Sequence, residues 1–107
     1  MSQFRGGMGE LMRQASRLQR KVEKRKEELK NETVEAGAGN DQVKAVVNGA
    51  GALVSIQIEP ALLKAEELGM VQDLVVAAVN AALTKSEQMV EAEIEKVTGG
   101  IKIPGLG

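Results

Sequence analysis

Residues 43–58 read VKAVVNGAGALVSIQI, two runs of alternating apolar and polar residues. Alternation of this kind is typical of a strand that buries one face. The alternating apolar positions are Val43, Ala45, Val47, Val54, Ile56 and Ile58. Between the runs, residues 48–51 read NGAG, which favours a tight hairpin because Asn and Gly tolerate positive φ. The stretch therefore predicts two antiparallel strands joined by a short turn.

The segments on either side extend this pattern. Upstream, Thr33 to Ala36 predicts another short strand, followed by a turn over residues 37–40, which read GAGN. Three consecutive strands with short connections predict an antiparallel meander. Downstream, Pro60 ends the last strand and suits the start of a short helix over Ala61–Glu67, which Gly69 is expected to end.

Long helical patterns enclose the predicted sheet. Residues 8–30 carry apolar residues at a 3-4 spacing, and residues 70–97 form a second such segment. The first half of that segment, residues 71–83, is apolar nearly all round and is expected to be buried. The second half is acidic, with an apolar set spaced to make contacts at Met89, Val90, Ile94 and Val97.

The sequence thus predicts an α+β fold with a long N-terminal helix, a three-stranded antiparallel meander, a short helix and a long C-terminal helix. Residues 1–98 are expected to form a single domain. The glycine-rich residues 99–107 are expected to be a flexible tail that folding does not require.

Composition restricts the chemistry of the chain. Its 107 residues include one aromatic residue, Phe4, and no cysteine or histidine. A disulfide, a thiolate metal site and the usual general base are therefore excluded, and we expect no enzyme, cofactor or small-molecule substrate. A small core without aromatic rings buries little surface, so we expect an obligate homodimer.

Hydropathy along the chain predicts a cytoplasmic protein without a membrane segment. No uninterrupted apolar run approaches the roughly 20 residues that span a bilayer. The first residues, MSQFRGG, have no apolar core of a signal peptide. Residues 6–9, which read GGMG, are expected to be a flexible lead-in to the first helix.

Positive charge is concentrated in the first helix. The net charge is −1, but residues 1–30 hold nine Lys or Arg against four Glu. At 100° per residue, five cations share an arc of about 100° opposite the apolar side. We call these residues the basic stripe: Arg13, Arg17, Arg20, Lys21 and Lys24.

The basic stripe favours a binding role over an ordinary solvated face. No acid lies between Glu10 and Glu23, and like charges four residues apart destabilise a helix by about 0.2–0.5 kcal/mol per pair. A row of cations on a rigid helix suits the phosphates of double-stranded DNA. Scarce aromatic residues argue against single strands. A membrane surface is less favoured because the apolar side is expected to join the core.

A different class of function also fits the sequence. The basic helix could bind an acidic protein partner, which would make the chain a protein-interaction or assembly module. The acidic segment Glu87–Glu95 could be that partner within a dimer.

Several short motifs follow one another along nearly the whole chain. They are MGELMRQA at 8–15, GAG at 37–39, NG at 48–49, IQIEPALL at 56–63, DLVVAAVNA at 73–81, GG at 99–100 and IPG at 103–105. In this order they resemble the YbaB/EbfC family of nucleoid-associated proteins. The resemblance implies a tweezer-like homodimer with projecting helices, DNA binding with little sequence preference, and a nucleoid role in gene regulation. Glu59 stands where that family commonly has Asp, a better N-cap.

Overall fold

The computed structural model describes the backbone of residues 2–101 and the side chains of residues 7–101. It contains two long helices and one three-stranded sheet. The elements in order are α1 (Ser2–Leu29), β1 (Thr33–Ala38), β2 (Val43–Asn48), β3 (Leu53–Ile58), two short 3₁₀ turns (Pro60–Leu62 and Ala65–Glu67) and α2 (Leu68–Thr98). The predicted α+β architecture is confirmed. The structure holds one protomer, so the tweezer-like homodimer stays a prediction.

The sheet is the predicted antiparallel meander in the order β1-β2-β3. Its central strand buries the alternating face predicted from the sequence. Val43, Ala45 and Val47 are fully buried against Ala78 and Ala82 of α2. Small alanines in the middle of α2 let the helix lie close to the sheet, and this contact is the core.

The helix α2 covers only part of the sheet. It packs on β1 and β2, while β3 makes few contacts with it. Leu53 pairs with buried Val47 and so lies on the helix-facing side, yet its side chain is 48% exposed. The outer strand therefore presents apolar residues on the side of the sheet where no helix covers them.

The expectation that the first half of α2 is buried is wrong. The helical stretch that contains this segment, Ala65–Thr98, is apolar and long enough to cross a membrane by length and composition alone, yet only 17% of its apolar 18-residue window is buried. Val76 is 60% exposed. The opposite flank of α2 is held to β1, since Lys85 Nζ donates to the Glu35 carbonyl at 2.9 Å. Residues 76 and 85 lie on opposite sides of the helix, since nine steps of about 100° end about 180° away. Val76 therefore faces the β3 side.

Together these residues form one uncovered surface, which we call the apolar flank. It combines the helix-facing side of β3 with the adjoining side of α2. Its members are exposed or half-buried: Leu53, Ile56, Ile58, Val76, Val79 and Leu83.

Several predicted boundaries are corrected by the structure. Helix α1 begins at Ser2, so residues 6–9 are helical and not a flexible lead-in. The predicted short helix is replaced by two 3₁₀ turns, and Glu59 makes no capping hydrogen bond through its side chain. Gly69 does not end a helix but lies in the first turn of α2. The first strand continues to Ala38, which moves the following turn to residues 39–42.

The C-terminal half of α1 packs against the second half of α2, whereas the N-terminal part of α1 extends beyond α2. The apolar set predicted on the second half of α2 is half-buried, and Val22 and Leu29 of α1 are buried. Gly99 adopts a left-handed φ of 63° and ends α2. Residues 102–107 of the predicted tail lie outside the described residues. The N-terminal part of α1 makes the molecule 77 Å long but only 18 by 17 Å across.

Candidate nucleic-acid interface

The N-terminal part of α1 projects from the rest of the protein. Every residue from Gly7 to Lys21 is exposed or half-buried, and Val22, which follows them, is buried. We call residues 7–21 the arm. Helical geometry gives it a length of about 22 Å. Its rigidity comes from the continuous backbone hydrogen bonds of a helix, because little else supports it.

The apolar side of the arm does not join the core, although the sequence predicted that it would. Val22 and Leu29 join the buried part of the protein, and Leu18 is half-buried. In contrast, Met8, Leu11 and Met12 are exposed by 54–66%. The predicted apolar stripe is therefore a packing surface only in the C-terminal half of α1.

All five residues of the basic stripe are exposed. The stripe runs from the arm to just beyond it. From Arg13 to Lys24 the helix rises about 16 Å, close to the axial rise of five nucleotides in one DNA strand. The structure thus places the five predicted side chains on one accessible helix face.

The charges of the stripe have few partners within the part of the chain that the structure describes. Arg13 is the exception, because it donates to Glu10, the acid just before the stripe, at 2.9 Å. Among the residues whose side chains are described, the other four stripe cations form no salt bridge. Their positive charge is available to an anionic ligand.

Several cations outside the stripe have partners in the protein. Lys30 pairs with Glu27 at 2.8 Å, and Lys96 pairs with Glu93 at 2.6 Å. Lys85 bonds a backbone carbonyl of β1. These lysines support the fold or the helix surface, whereas four of the five stripe cations do not.

Arg25 differs most clearly from the stripe, although it follows Lys24 directly in sequence. Its guanidinium contacts Glu32 at 2.7 Å and Glu93 at 2.6 Å, and a weaker bond reaches Glu28 at 3.3 Å. The hydrogen bonds that Arg25 donates to Glu93 and Glu32 raise the pKa of Arg25 further above its already high ordinary value. The acids that surround Arg25 come from three separate segments: the same helix, the connection to β1, and α2.

Acidic residues of α2 line a groove beside α1. The groove has a volume of about 860 Å³ and an apolar floor that includes Val22, Val90 and Ile94. Glu87, Glu91 and Glu95 stand along it. Among the side chains of residues 7–101, the ion pair that joins the two helices is Arg25–Glu93, and the basic stripe forms no salt bridge with Glu87, Glu91 or Glu95.

Alternative ligand sites find little support in the described part of the chain. No group of three or more acidic side chains between residues 7 and 101 is arranged to hold a metal ion. The glycines at positions 7 and 9 lie inside α1, where their backbone N–H groups are committed to the helix. The basic stripe is the strongest candidate for function.

A model of the YbaB/EbfC DNA-binding family matches residues 5–101, nearly all of the chain. The chain belongs to this family. Among its relatives is a nucleoid-associated protein of Thermoanaerobacter sp. (strain X514), which is 46% identical over 96% of this chain and 95% of the relative. A nucleoid-associated protein of Pelotomaculum thermopropionicum is 45% identical over 94% of this chain and 96% of its own length. The resemblance inferred from the motifs is confirmed.

The family relationship extends to a more distant relative and to a solved fold. A nucleoid-associated protein of Myxococcus xanthus is 44% identical over 89% of this chain and 90% of its own. The crystal structure of the uncharacterized protein HP0035 from Helicobacter pylori aligns with a TM-score of 0.61 at 23% identity. That alignment covers 72% of this chain and 89% of the other, and it supports the fold of this family member.

Proposed function

We propose that this protein binds double-stranded DNA as a homodimer, largely through phosphate contacts made by the basic stripe. The observation that carries the proposal is the set of four exposed stripe cations without a salt bridge on one face of a projecting helix. Membership of a DNA-binding family supports the same ligand. The bound protein would act in nucleoid organisation and gene regulation in the cytoplasm.

Phosphate contacts explain these side chains better than base recognition does. Arginine and lysine neutralise phosphates and release counterions, and this gain does not depend on sequence. The regular spacing along about 16 Å of helix suits a uniformly charged backbone. The described residues contain no aromatic side chain on which an unpaired base could stack, which favours a duplex over a single strand.

The surface of the protomer supports the homodimer. Its accessible area is 7684 Å². A compact monomer of this mass would expose about 5,800 Å². Part of the excess belongs to the arm and part to the apolar flank, where β3 also presents a free strand edge. We place the dimer contact at the apolar flank, which leaves both arms free to project toward one duplex.

The test is a binding titration of duplex DNA across a salt series. The triple variant Arg13→Gln, Arg17→Gln, Arg20→Gln should bind two unrelated duplexes much more weakly, and to a similar extent. The slope of log K against log salt should fall by about 0.9 for each phosphate that the variant no longer neutralises. Circular dichroism should show a folded protein, since the substitutions remove like charges from one helix.

A matched control removes the same charge elsewhere. The variant Lys30→Gln, Lys44→Gln, Lys64→Gln also lowers the net charge by three but leaves the stripe intact. It should keep most of its affinity and its salt slope. If the stripe variant bound DNA with normal affinity and slope, the stripe would not be the binding surface. The proposal would then be overturned in favour of a protein-interaction role for the basic helix.

A further inference from the structure

Arg25 connects three separate segments at the base of the arm. Helix α1 ends at Leu29, and Arg25 lies one helical turn before that end. Its partners are Glu28 in the same helix, Glu32 in the connection to β1, and Glu93 in α2. Glu93 also accepts a 2.6 Å hydrogen bond from Lys96, so that carboxylate is held from two sides.

We propose that Arg25 is a positioning residue for DNA binding, which sets the angle between the arm and α2 through Glu93 and contacts no phosphate itself. This inference rests on the proposed function of the basic stripe. It assigns a role in DNA binding to Arg25, which does not touch the DNA, and to Glu93, whose negative charge would repel it.

The geometry of α1 explains why the angle at this point matters. From Arg25 to Arg13 the helix rises about 18 Å. A rotation of about 10° at the base would move Arg13 by about 3 Å, close to the axial rise per nucleotide in one strand. In a dimer both arms would be displaced, so their cations would no longer reach matching phosphates together.

Arg25 is poorly placed to bind DNA directly. On the helix it lies about 90° from the middle of the basic stripe, on the side that faces α2. Its side chain is 23% exposed, and two of its nitrogen atoms are already engaged by carboxylates at 2.6–2.7 Å. Charge-assisted bonds of this length are strong and directional. A phosphate would have to displace them to gain access.

The decisive experiment compares two acids of α2. General electrostatics predicts that removing any acid near DNA strengthens binding. Glu93→Gln removes the partner of Arg25 and also releases Lys96, so a purely electrostatic effect would raise affinity. The positioning role predicts the opposite sign. If the binding-competent arm angle becomes one-fifth as populated, the Kd rises about fivefold.

Glu91→Gln is the matched control. Glu91 lies two residues earlier on the same helix, is exposed, and forms no salt bridge within residues 7–101. This variant should bind DNA as tightly as the native protein, or slightly more tightly. An equal or greater affinity for Glu93→Gln as well would overturn the proposal.

Substitutions at the arginine separate positioning from direct phosphate binding. Arg25→Lys keeps the charge but cannot engage several carboxylates with one planar group. It should weaken binding while leaving the salt slope unchanged. Lys24→Gln, one residue away in the stripe, should lower the slope by about 0.9 for each of the two protomers in the dimer. A similar fall in slope for Arg25→Gln would identify Arg25 as a phosphate ligand and overturn the positioning role.

The arm itself can be followed with a spin label because the chain contains no cysteine. Ser16→Cys gives one exposed labelling site on the arm in each protomer. The distance distribution between the labels of a dimer should broaden in Glu93→Gln and not in Glu91→Gln. An unchanged distribution, in a variant with native circular dichroism, would contradict the positioning role. The triple variant of the basic stripe, measured on the same duplex, tests the proposed function separately.

Discussion

Ser86 of α2 donates a 2.7 Å hydrogen bond from its hydroxyl to the backbone carbonyl of Asn48, at the end of β2. Ser86 is 2% exposed and is the only polar residue among those buried between residues 7 and 101. The bond ties the middle of α2 to the turn between β2 and β3. That turn also contacts the end of α1, so the bond lies where the sheet and both helices meet.

Replacement of this serine should destabilise the fold without altering the binding surface. Ser86→Ala removes the side-chain donor of the Asn48 carbonyl, which then keeps only its bond from the Gly51 N–H at 3.0 Å. The loss of this hydrogen bond should lower the free energy of unfolding by about 0.5–1.5 kcal/mol. Chemical denaturation followed by circular dichroism measures the change. Ser55→Ala removes an exposed hydroxyl from β3 and should change stability by less than about 0.5 kcal/mol. Equal effects of the two substitutions would show that the buried bond contributes little.

Gly49 is required by close packing between two segments. Its N–H donates to the carbonyls of Leu29 and Glu32, at 3.1 and 3.0 Å. A Cβ at this position would overlap the backbone carbonyl of Leu29. Gly49→Ala should therefore force the end of α1 away from the hairpin and cost about 1–3 kcal/mol of stability.

At Gly69, unlike Gly49, a larger side chain should fit and should stabilise the protein. It lies inside α2 with open space around its Cβ position. Gly69→Ala should stabilise the protein by about 0.5–1 kcal/mol, because alanine loses less backbone entropy in a helix. The thermal midpoints of the two alanine variants should move in opposite directions. Movement in the same direction would contradict the assignment of Gly49 to packing.

The hairpin shows how far local sequence reasoning extends. The sequence NGAG predicted the turn correctly, and the Asn48 side chain accepts hydrogen bonds from the N–H groups of Ala50 and Ala52. The expected reason was only partly right. Positive φ occurs at Gly51, whereas Gly49 is needed because Leu29 approaches it from a distant segment. Periodicity and turn residues report local geometry, but such an approach depends on tertiary packing.

The candidate site was predictable to a similar degree. Helical spacing identified the shared face of Arg13, Arg17 and Arg20 correctly, since that face depends only on local geometry. The role of Arg25 could not be predicted, because Glu93 is 68 residues away and meets it only after α2 folds back along α1. The exposed apolar residues of the arm were missed for the same reason. Spacing shows which residues share a side of a helix, but it does not show where a neighbouring helix ends.

The ion pair at Glu93 predicts a specific pH dependence of stability. The pKa of Glu93 lies below its ordinary value of 4.5, because hydrogen bonds from Lys96 and then Arg25 favour the charged carboxylate. A carboxyl whose pKa is lowered by folding stabilises the protein above its unfolded-state pKa. This stability is lost as the pH falls through the folded-state pKa. The native protein should therefore exceed Glu93→Gln in stability at pH 7, and the difference should shrink below about pH 4.5.

Urea denaturation of both proteins between pH 7 and pH 3 measures this difference. Glu91→Gln serves as the comparison, since Glu91 forms no salt bridge within the described side chains. Its difference from the native protein should be small and nearly independent of pH. A constant difference for Glu93→Gln across the whole range would mean that the carboxylate charge does not stabilise the fold.

The apolar flank should hold the homodimer together. Val76→Lys places a charge on an exposed position of this surface, so the protomer should remain folded while the dimer dissociates. Light scattering should report a dimer for the native protein and a monomer for the variant. Ala81→Lys adds the same charge to an exposed position on another side of α2 and should leave the dimer intact. If both variants remained dimeric, the dimer interface would lie elsewhere. If the native protein were a folded monomer at micromolar concentration, the homodimer would be contradicted.

The monomeric variant should also bind DNA differently. Two arms on one dimer bind as linked sites, so the loss of dimerisation should weaken binding by well over the factor of two expected from counting sites. The salt slope should fall to about half, because each monomer neutralises only the phosphates reached by one stripe. Val76→Lys adds a positive charge, so general electrostatics would strengthen binding, and a weakened complex cannot be attributed to that charge. Ala81→Lys, with the same added charge and an intact dimer, should keep the native slope. A native slope in a monomeric Val76→Lys would show that one arm makes all the phosphate contacts.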